Sequence, residues 1–288
     1  MEQSLTPVAG ASSVGALLDW ARRRLASRSG SSGLDAEVLL GFALGRSRSS
    51  LIGFPELGVS AAETARFHRL VERRVDGVPV AYLTGRREFH SLALNVSPAT
   101  LVPRPETELL VDKVLERLAP GVRSWVLDAG AGSGAVAVAI KYRRPDCQVV
   151  GVDRSGAALE IAAGNGARFG LDVHWVRSDW FAGIAGGRFQ FVVSNPPYVR
   201  RDDPALTSPD LRHEPREALD GGAEGLDGLR AVIAGAPRVL APRGTLVLEH
   251  GFDQAKAVRE LLNECGFRVI ETHQDTAGID RVSIGELA

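Results

Sequence analysis

The chain has 288 residues with 34 basic and 35 acidic side chains, so its formal net charge is −1. A hydrophobic fraction of 44% and a charged fraction of 24% are ordinary for a globular protein, and the length allows one full α/β domain plus a smaller companion. The balanced charge weighs against a protein dedicated to gripping DNA or RNA, because such proteins usually carry a basic excess.

The first part of the chain predicts a small helical domain. Ser13 can cap one helix, a second helix is predicted over 34–44, and a capping box at Ser60–Glu63 opens a third. The period then changes between Val80 and Val96, where alternating apolar residues predict a small hairpin. The predicted parts are therefore a helical domain over 1–80, a hairpin and linker over 81–104, and a larger domain over 105–288.

The larger domain begins with a connector and a helix, since Pro105 suits the first turn of a helix. From Trp125 onward, strands and helices alternate, which is typical of a parallel sheet with helices on both faces. Strands are predicted over 125–128, 148–153, 173–177, 189–194, 244–249, 267–272 and 281–285. Helices are predicted over about 134–143, 156–168, 228–240 and 253–265. The sequence thus predicts an α/β fold with a mostly parallel, seven-stranded sheet.

A glycine loop follows the first strand of this sheet and opens a helix. The loop residues are Gly130, Ala131, Gly132, Ser133 and Gly134. Glycine permits positive φ and close approach of a ligand to the backbone, and the helix N-terminus offers free N–H groups. Asp153 ends the next strand, nineteen residues beyond the loop, where its carboxylate can accept both hydroxyls of a ribose. This spacing alone fits either a nicotinamide dinucleotide or another nucleoside cofactor.

The fourth strand ends in a turn made of Asn195, Pro196, Pro197 and Tyr198. Two prolines cannot continue a central strand, so the chain turns out at the carboxyl edge of the sheet, where open α/β folds bind ligands. The Asn195 side-chain oxygen and the Pro196 carbonyl are two acceptors on a stiff loop, and Tyr198 adds a flat ring. This set suits a planar NH2 group, either a carboxamide or the exocyclic amine of a base.

The glycine loop preceded by Asp128, together with the Asn-Pro-Pro-Tyr turn, resembles class I S-adenosylmethionine-dependent methyltransferases. The resemblance implies that the loop, Asp153 and Asn195 contact S-adenosylmethionine, with S-adenosylhomocysteine as the product. It also implies that Trp180, after the third strand, contacts adenine; a packed loop aromatic is the alternative interpretation. The turn by itself marks enzymes that methylate the amino groups of DNA adenine, RNA guanine or protein glutamine.

Motifs along nearly the whole chain resemble the PrmC/HemK family of peptide-chain release factor glutamine N5-methyltransferases. They lie at 77–85, 87–89, 96–98, 101–108, 214–215, 218–222 and 248–251. The Pro-Arg-Pro-Glu-Thr-Glu connector within 103–108 is the most specific. The resemblance implies methylation of the glutamine in the Gly-Gly-Gln loop of class I release factors, in translation termination. It also implies that the helical domain over 1–80 helps to dock this protein substrate. The glutamine would be bound and aligned by the whole Asn-Pro-Pro-Tyr turn, that is, by Asn195, Pro196, Pro197 and Tyr198.

Three alternatives remain at this point. A nucleic-acid amino-methyltransferase would need a basic target-recognition region, yet residues 1–100 hold 12 arginines against 9 acidic residues, a net charge of +3. A sibling enzyme acting on a ribosomal-protein glutamine differs only through its N-terminal domain. A non-catalytic adaptor would not need an intact loop, acid and turn. We therefore expect a protein substrate, no direct contact with nucleic acid, and a monomer.

Further expectations concern the surroundings of the site and of the protein. The segment 199–228 is a candidate lid, and Arg104, Glu106, Glu249 and His250 either border the site or serve packing. The sequence has only two cysteines and no pair of histidines four residues apart, so we expect no metal and a reducing compartment. The first six residues lack the regions of a signal peptide and no long apolar run occurs, which predicts a cytoplasmic protein outside membranes.

Overall fold

The computed structural model describes residues 12–209 and 211–288, so the prediction about a signal peptide in the first six residues lies outside the described residues. The chain divides into two compact units, Met1–Gly85 and Arg86–Ala288. Within the described residues, no helix is both long and apolar enough to cross a membrane. The same residues contain no group of three or more His, Cys, Asp or Glu side chains arranged to hold a metal ion.

The N-terminal unit is helical, as predicted. Its helices are α1 (Val14–Leu25), α2 (Ser32–Leu44), α3 (Arg48–Gly53), α4 (Ala61–Val75) and α5 (Val80–Thr84), and the short strands β1 (Ser12–Ser13) and β2 (Gly58–Val59) pair antiparallel. Ser13 caps α1 by accepting the Ala16 N–H, and the predicted capping box between Ser60 and Glu63 is present at α4. The apolar stripes of α1, α2 and α4 meet in one core around the buried Phe67.

One part of the hairpin prediction is wrong, because residues 80–84 form the short helix α5. Pro79 stands before the first turn, where its carbonyl accepts the N–H groups of Tyr82 and Leu83, and Gly85 ends the turn with φ of +72°. The hairpin itself begins directly after Gly85 and consists of β3 (Arg86–Phe89) and β4 (Leu92–Asn95). The alternating apolar residues Phe89, Leu92 and Leu94 lie in the hairpin itself, and the segment 80–84 before them carries no such alternation.

The C-terminal unit contains the predicted α/β sheet. After the hairpin, a 3₁₀ turn at Pro105–Thr107 leads into α6 (Glu108–Arg117). The strands are β5 (Trp125–Ala129), β6 (Gln148–Asp153), β7 (Val173–Arg177), β8 (Phe189–Ser194), β9 (Leu240–Glu249), β10 (Phe267–Gln274) and β11 (Asp280–Leu287). Helices are α7 (Ala135–Arg143), α8 (Gly156–Arg168), α9 (Asp227–Val239) and α10 (Ala255–Glu264). The strand order is β10-β11-β9-β8-β5-β6-β7, with only β11 antiparallel to its neighbours, which confirms the predicted fold class.

Helices cover both faces of this sheet. Val126, Val193 and other alternate residues of the strands pack on one face with α6 and α7, whereas Leu127, Val192 and their counterparts pack on the other face with α9 and α10. In space β5 lies beside β8, although β6 and β7 separate them in the sequence. The order of strands thus reverses next to β5, and a crevice at such a switch point is where doubly wound folds bind their ligands.

Candidate functional site

A cavity of about 610 Å³ lies at the carboxyl ends of β5, β6 and β8. Its walls include Asp128, the loop residues 130–133, Asp153, Trp180, Asn195 and Pro197. The glycine loop and the Asn-Pro-Pro-Tyr turn, predicted separately from the sequence, thus contribute to one cavity. Its volume falls within the range of roughly 300–1,000 Å³ that is usual for small-molecule and cofactor sites.

The glycine loop has the backbone geometry that its sequence predicts. Gly130, Gly132 and Gly134 have φ of +82°, +55° and +77°, a region that other residues rarely adopt. Gly134, however, is not among the described residues that line the cavity. A Cβ at this position would come within 2.8 Å of the Trp175 ring and 2.9 Å of the Ala162 Cβ. Gly134 therefore stands at the start of α7, in close contact with Trp175 of β7 and Ala162 of α8. Gly130 to Ser133 line the cavity.

Asp153 stands at the end of β6 and is held by two backbone groups. Its Oδ2 accepts the N–H of Gly132 at 2.9 Å, and its Oδ1 accepts the N–H of Ser155 at 2.8 Å. Each carboxylate oxygen has capacity for another hydrogen bond. The carboxylate is consequently fixed in orientation at the cavity wall, with acceptor sites left for a pair of hydroxyl groups.

Asp128 is a site residue that the sequence analysis noted only as part of the family pattern. It is 2% exposed at the end of β5, lines the cavity, and accepts the N–H of Ala137 in the first turn of α7 at 3.1 Å. Burial raises the pKa of this carboxyl to about 7; the Ala137 N–H acts in the opposite direction, and the nearby Asp153 raises the pKa further. A buried acid of this kind in a cleft is suited to a positively charged ligand group.

Trp180 lies at the cavity wall and also packs against the core. Its ring lines the cavity, and one ring carbon lies 3.4 Å from where a Cβ on Gly130 would be. The side chain also packs against the core between the sheet and α9. Its backbone has φ of +48°, an uncommon value for a bulky residue. The ring is therefore a fixed flat surface beside the glycine loop.

The residues of the Asn-Pro-Pro-Tyr turn face in different directions. Asn195 and Pro197 line the cavity, whereas Pro196 and Tyr198 are not among its described lining residues. The Asn195 Nδ2 donates a hydrogen bond to the Thr107 hydroxyl at 3.1 Å, and its Oδ1 accepts none from the described part of the chain. The Tyr198 hydroxyl donates to Oε1 of Glu249 at 3.1 Å, and burial together with this carboxyl raises the pKa of Tyr198.

The segment 219–228, which is rich in glycine, holds the turn in place through backbone contacts. Val199 donates its N–H to the Leu219 carbonyl at 2.9 Å and accepts the N–H of Gly221 at 2.8 Å. The side-chain amide of Gln254 donates to the carbonyls of both Tyr198 and Gly225 at 3.0 Å. A Cβ on Gly221 would lie 2.8 Å from the Pro197 carbonyl oxygen, so the two backbones touch. This contact explains physically why a glycine follows Asp220 in the segment.

The same segment belongs to the predicted lid over 199–228. Several of its residues line the cavity, among them Arg201, Arg216 and Asp220. The buried Glu214 accepts the N–H of Val102 at 2.9 Å and pairs with Arg104, which joins the segment to the Pro-Arg-Pro-Glu-Thr-Glu connector. The segment therefore forms one wall of the cavity, and movement of this wall on substrate binding stays a prediction.

We expect Gly221→Ala to disturb the turn without touching the cofactor loop. The added methyl group would overlap the Pro197 carbonyl and the Tyr198 Cα, each 2.8 Å from the ideal Cβ. The free energy of unfolding should fall by about 1–3 kcal/mol, as for other overpacked sites. Chemical denaturation measures this change. Gly164→Ala in α8 is the matched control, because no atom lies within 4 Å of its Cβ position; equal effects of the two variants would contradict the backbone contact.

Comparisons with known proteins match both units of the chain. A family model described as the PrmC N-terminal domain matches residues 16–85, and one described as the methyltransferase small domain matches residues 105–224. Two solved structures share the fold: a methyltransferase from Pyrococcus furiosus (19% identity, TM-score 0.52, covering 68% of this chain and 88% of that one), and a Thermus thermophilus 16S rRNA N2 methyltransferase in complex with AdoMet and guanosine (23% identity, TM-score 0.51, covering 70% and 50%).

Curated relatives are much more similar in sequence. A release factor glutamine methyltransferase of Xylella fastidiosa (strain 9a5c) is 49% identical over 253 residues, covering 88% of this chain and 92% of the relative. The release factor glutamine methyltransferase of Escherichia coli (strain K12) is 41% identical over 252 residues, covering 87% and 91%. Identity at this level across both units shows the family, and the chain belongs to the release factor glutamine methyltransferases, which are S-adenosylmethionine-dependent enzymes.

Proposed function

We propose that the protein transfers a methyl group from S-adenosylmethionine to the side-chain amide nitrogen (N5) of a release factor glutamine. The observation that carries this proposal is the Asn195 amide. Its nitrogen is engaged by Thr107, and its oxygen has no donor within the described residues, at the wall of the cavity that also contains the glycine loop. A free, fixed acceptor of this kind matches the N–H groups of a carboxamide.

The residues present fit the cofactor. Gly130 to Ser133 present bare backbone, Asp153 keeps acceptor capacity for the ribose hydroxyls, and Trp180 offers a flat surface for adenine. The buried Asp128 carboxyl provides negative charge for the ammonium end of the molecule. When bound, S-adenosylmethionine supplies a methyl group activated by the adjacent sulfonium charge. We propose that these four features, together with Asn195, form its binding site.

Catalysis depends on how this chain treats a weak nucleophile. The lone pair of an amide nitrogen is delocalised into its carbonyl, and no side-chain base ionises a neutral amide usefully near pH 7. We infer that Asn195 Oδ1, at the cavity wall, accepts one N–H hydrogen and orients the nitrogen toward the methyl group. The sequence-based expectation that the Pro196 carbonyl accepts the other hydrogen stays a proposal, since Pro196 is not among the described residues that line the cavity. Fixed alignment of this type contributes roughly 7–11 kcal/mol in favourable cases. As the nitrogen becomes positive, both acceptors bind it more strongly than the neutral amide. The methylated nitrogen then loses one of its two protons to water, which gives the neutral N-methyl amide.

The position of Tyr198 assigns it a supporting part. Its hydroxyl is bound to Glu249 and its ring packs beside the core, so it holds the second half of the turn. Pro197 lines the cavity and stiffens the same backbone. Our expectation from the sequence that the Tyr198 ring packs on the glutamine amide remains a proposal. We further propose that a monomer acts on the Gly-Gly-Gln loop of class I release factors in the cytoplasm, without a metal, and releases S-adenosylhomocysteine.

One assay tests the activity and its specificity. The protein is incubated with methyl-labelled S-adenosylmethionine and, in separate reactions, with a class I release factor, the same factor with its Gly-Gly-Gln glutamine changed to alanine, a ribosomal protein, DNA and RNA. We expect label on the unmodified release factor only, and peptide mass spectrometry should place it on that glutamine. Label on a nucleic acid or on the mutated factor would refute the proposed substrate, and label on the ribosomal protein would favour the sibling activity.

A further inference from the structure

The Thr107 side chain lies under the candidate catalytic turn without having been predicted as a site residue. Thr107 ends the 3₁₀ turn of the Pro-Arg-Pro-Glu-Thr-Glu connector and is 4% exposed. Its hydroxyl oxygen accepts a hydrogen bond from Asn195 Nδ2 at 3.1 Å, although the two residues are 88 positions apart in the sequence. The connector thus contacts Asn195, the polar residue of the turn that lines the cavity.

Glu249 lies behind this contact as a buried carboxyl at the end of β9. It is 1% exposed; its Oε1 accepts the Tyr198 hydroxyl at 3.1 Å, and its Oε2 has no hydrogen-bond partner within the described residues. Burial raises the pKa of Glu249, while the Thr107 and Tyr198 hydroxyls both lower it. Both hydroxyls therefore favour the ionised carboxylate, and Tyr198 makes the hydrogen bond to it.

The contact with Thr107 determines how the Asn195 amide faces. The Thr107 oxygen has lone pairs that accept one hydrogen of Nδ2, and this residue is buried at the end of the 3₁₀ turn. With Nδ2 turned to Thr107, Oδ1 is left toward the cavity. The reversed amide would present N–H groups to the N–H groups of the substrate.

We propose that Thr107 is a positioning residue that holds the Asn195 amide with its oxygen toward the substrate glutamine. Two contacts then anchor the turn, Thr107 at Asn195 and Glu249 at Tyr198. This inference rests on the proposed function, since the orientation matters only for a substrate that donates hydrogen bonds. It assigns a chemical role to the threonine of the connector, beyond the helix start that the sequence predicts there.

The decisive variant is Thr107→Val, which keeps the shape of the side chain and removes the hydroxyl. We expect kcat for release factor methylation to fall roughly 10- to 100-fold, while KM for the release factor and Kd for S-adenosylmethionine stay within about threefold. Thr107→Ser keeps the hydroxyl and should recover kcat to within about fivefold of the wild type. A purely structural role would lower stability and affect all three constants, and unfolding by denaturant measures the stability of each variant.

A double-variant comparison shows whether Thr107 acts through Asn195. In the Asn195→Ala background the amide is absent, so Thr107→Val should cause no further loss of kcat beyond about twofold. Independent losses that multiply would overturn the proposal. A Thr107→Val enzyme with kcat within twofold of the wild type would overturn it as well.

A spectroscopic readout separates this proposal from the proposed function. Side-chain amide signals of Asn195 in ¹⁵N-labelled protein report the hydrogen bond to Thr107, and they require no substrate. We expect exchange of these protons with water to be slow in the wild type and in Thr107→Ser, and at least about tenfold faster in Thr107→Val. If the wild type does not methylate a release factor, the proposed function fails. If the exchange rate is the same in all three proteins, the positioning role fails.

Discussion

Replacement of Asn195 by alanine is expected to lower the turnover of release factor methylation about a thousandfold, with the affinity for S-adenosylmethionine changed by less than about fivefold. The variant removes the oxygen that would accept from the substrate amide and aim its nitrogen. It leaves the glycine loop, Asp128 and Asp153 unaltered, and these residues make up most of the proposed cofactor site. The expected loss is therefore in kcat and not in cofactor binding.

Single-turnover kinetics with labelled cofactor and calorimetric titration measure the two quantities separately. Asn263→Ala in α10 is a matched control, because it removes the same type of side chain at an exposed position outside the cavity. Asn195→Asp is the informative second variant. It keeps an acceptor oxygen but loses the Nδ2 donor to Thr107, so we expect it to remain strongly impaired. Turnover of Asn195→Ala within tenfold of the wild type would refute the proposed mechanism.

Local patterns predicted most of the elements of the C-terminal unit. β6, β7 and β8 have the predicted bounds, since each is a short run of apolar or β-branched residues ended by a polar residue or a turn. β9 begins at Leu240 and not at the predicted 244, because the strand continues through Pro242, a residue that is unusual inside a strand. The register between β8 and β9 shifts at this point, and Arg243 has φ of +61°, so an irregular ladder accommodates the proline.

The site was predictable where one short segment supplies the chemistry. The glycine loop, Asp153 and the Asn-Pro-Pro-Tyr turn each contain their own signal, and the carboxyl ends of parallel strands bring them together. The supporting contacts have no such signal. Thr107 and Asn195 meet across 88 residues, and the contact of Gly221 with the Pro197 carbonyl depends on how a long segment packs back onto the turn. Only three-dimensional packing shows that these residues serve the same site.

Replacement of Asp128 by asparagine is expected to make the ligand-free protein more stable, and by more at high pH. The pKa of Asp128 in the folded protein is about 7, against an ordinary value of 3.8, because burial disfavours the charged form. The folded protein therefore holds this proton more tightly than the unfolded chain, so the group costs stability as the pH rises from about 4 to 7. Above pH 7 the whole cost is present, about 4 kcal/mol by linkage.

Denaturant unfolding at pH 5 and pH 8 tests the direction of this pH dependence. The gain in unfolding free energy of Asp128→Asn over the wild type should be about 2–3 kcal/mol larger at pH 8 than at pH 5. The asparagine oxygen can still accept the Ala137 N–H, so the start of α7 is retained. Asp172→Asn, at an exposed position, controls for the change of charge alone. A gain that shrinks with rising pH would show that the carboxyl is not destabilised by burial.

The same carboxyl links this stability cost to function. A ligand with positive charge stabilises the ionised form of Asp128, so binding should release a proton near neutral pH, and affinity should rise between pH 6 and pH 8. Asp128→Asn has no charge to offer, and we expect roughly 10- to 100-fold weaker binding of S-adenosylmethionine with the pH dependence lost. Calorimetry in two buffers of different ionisation enthalpy measures the released proton. Unchanged affinity at pH 8 would remove Asp128 from the cofactor site and leave its burial without a functional reason.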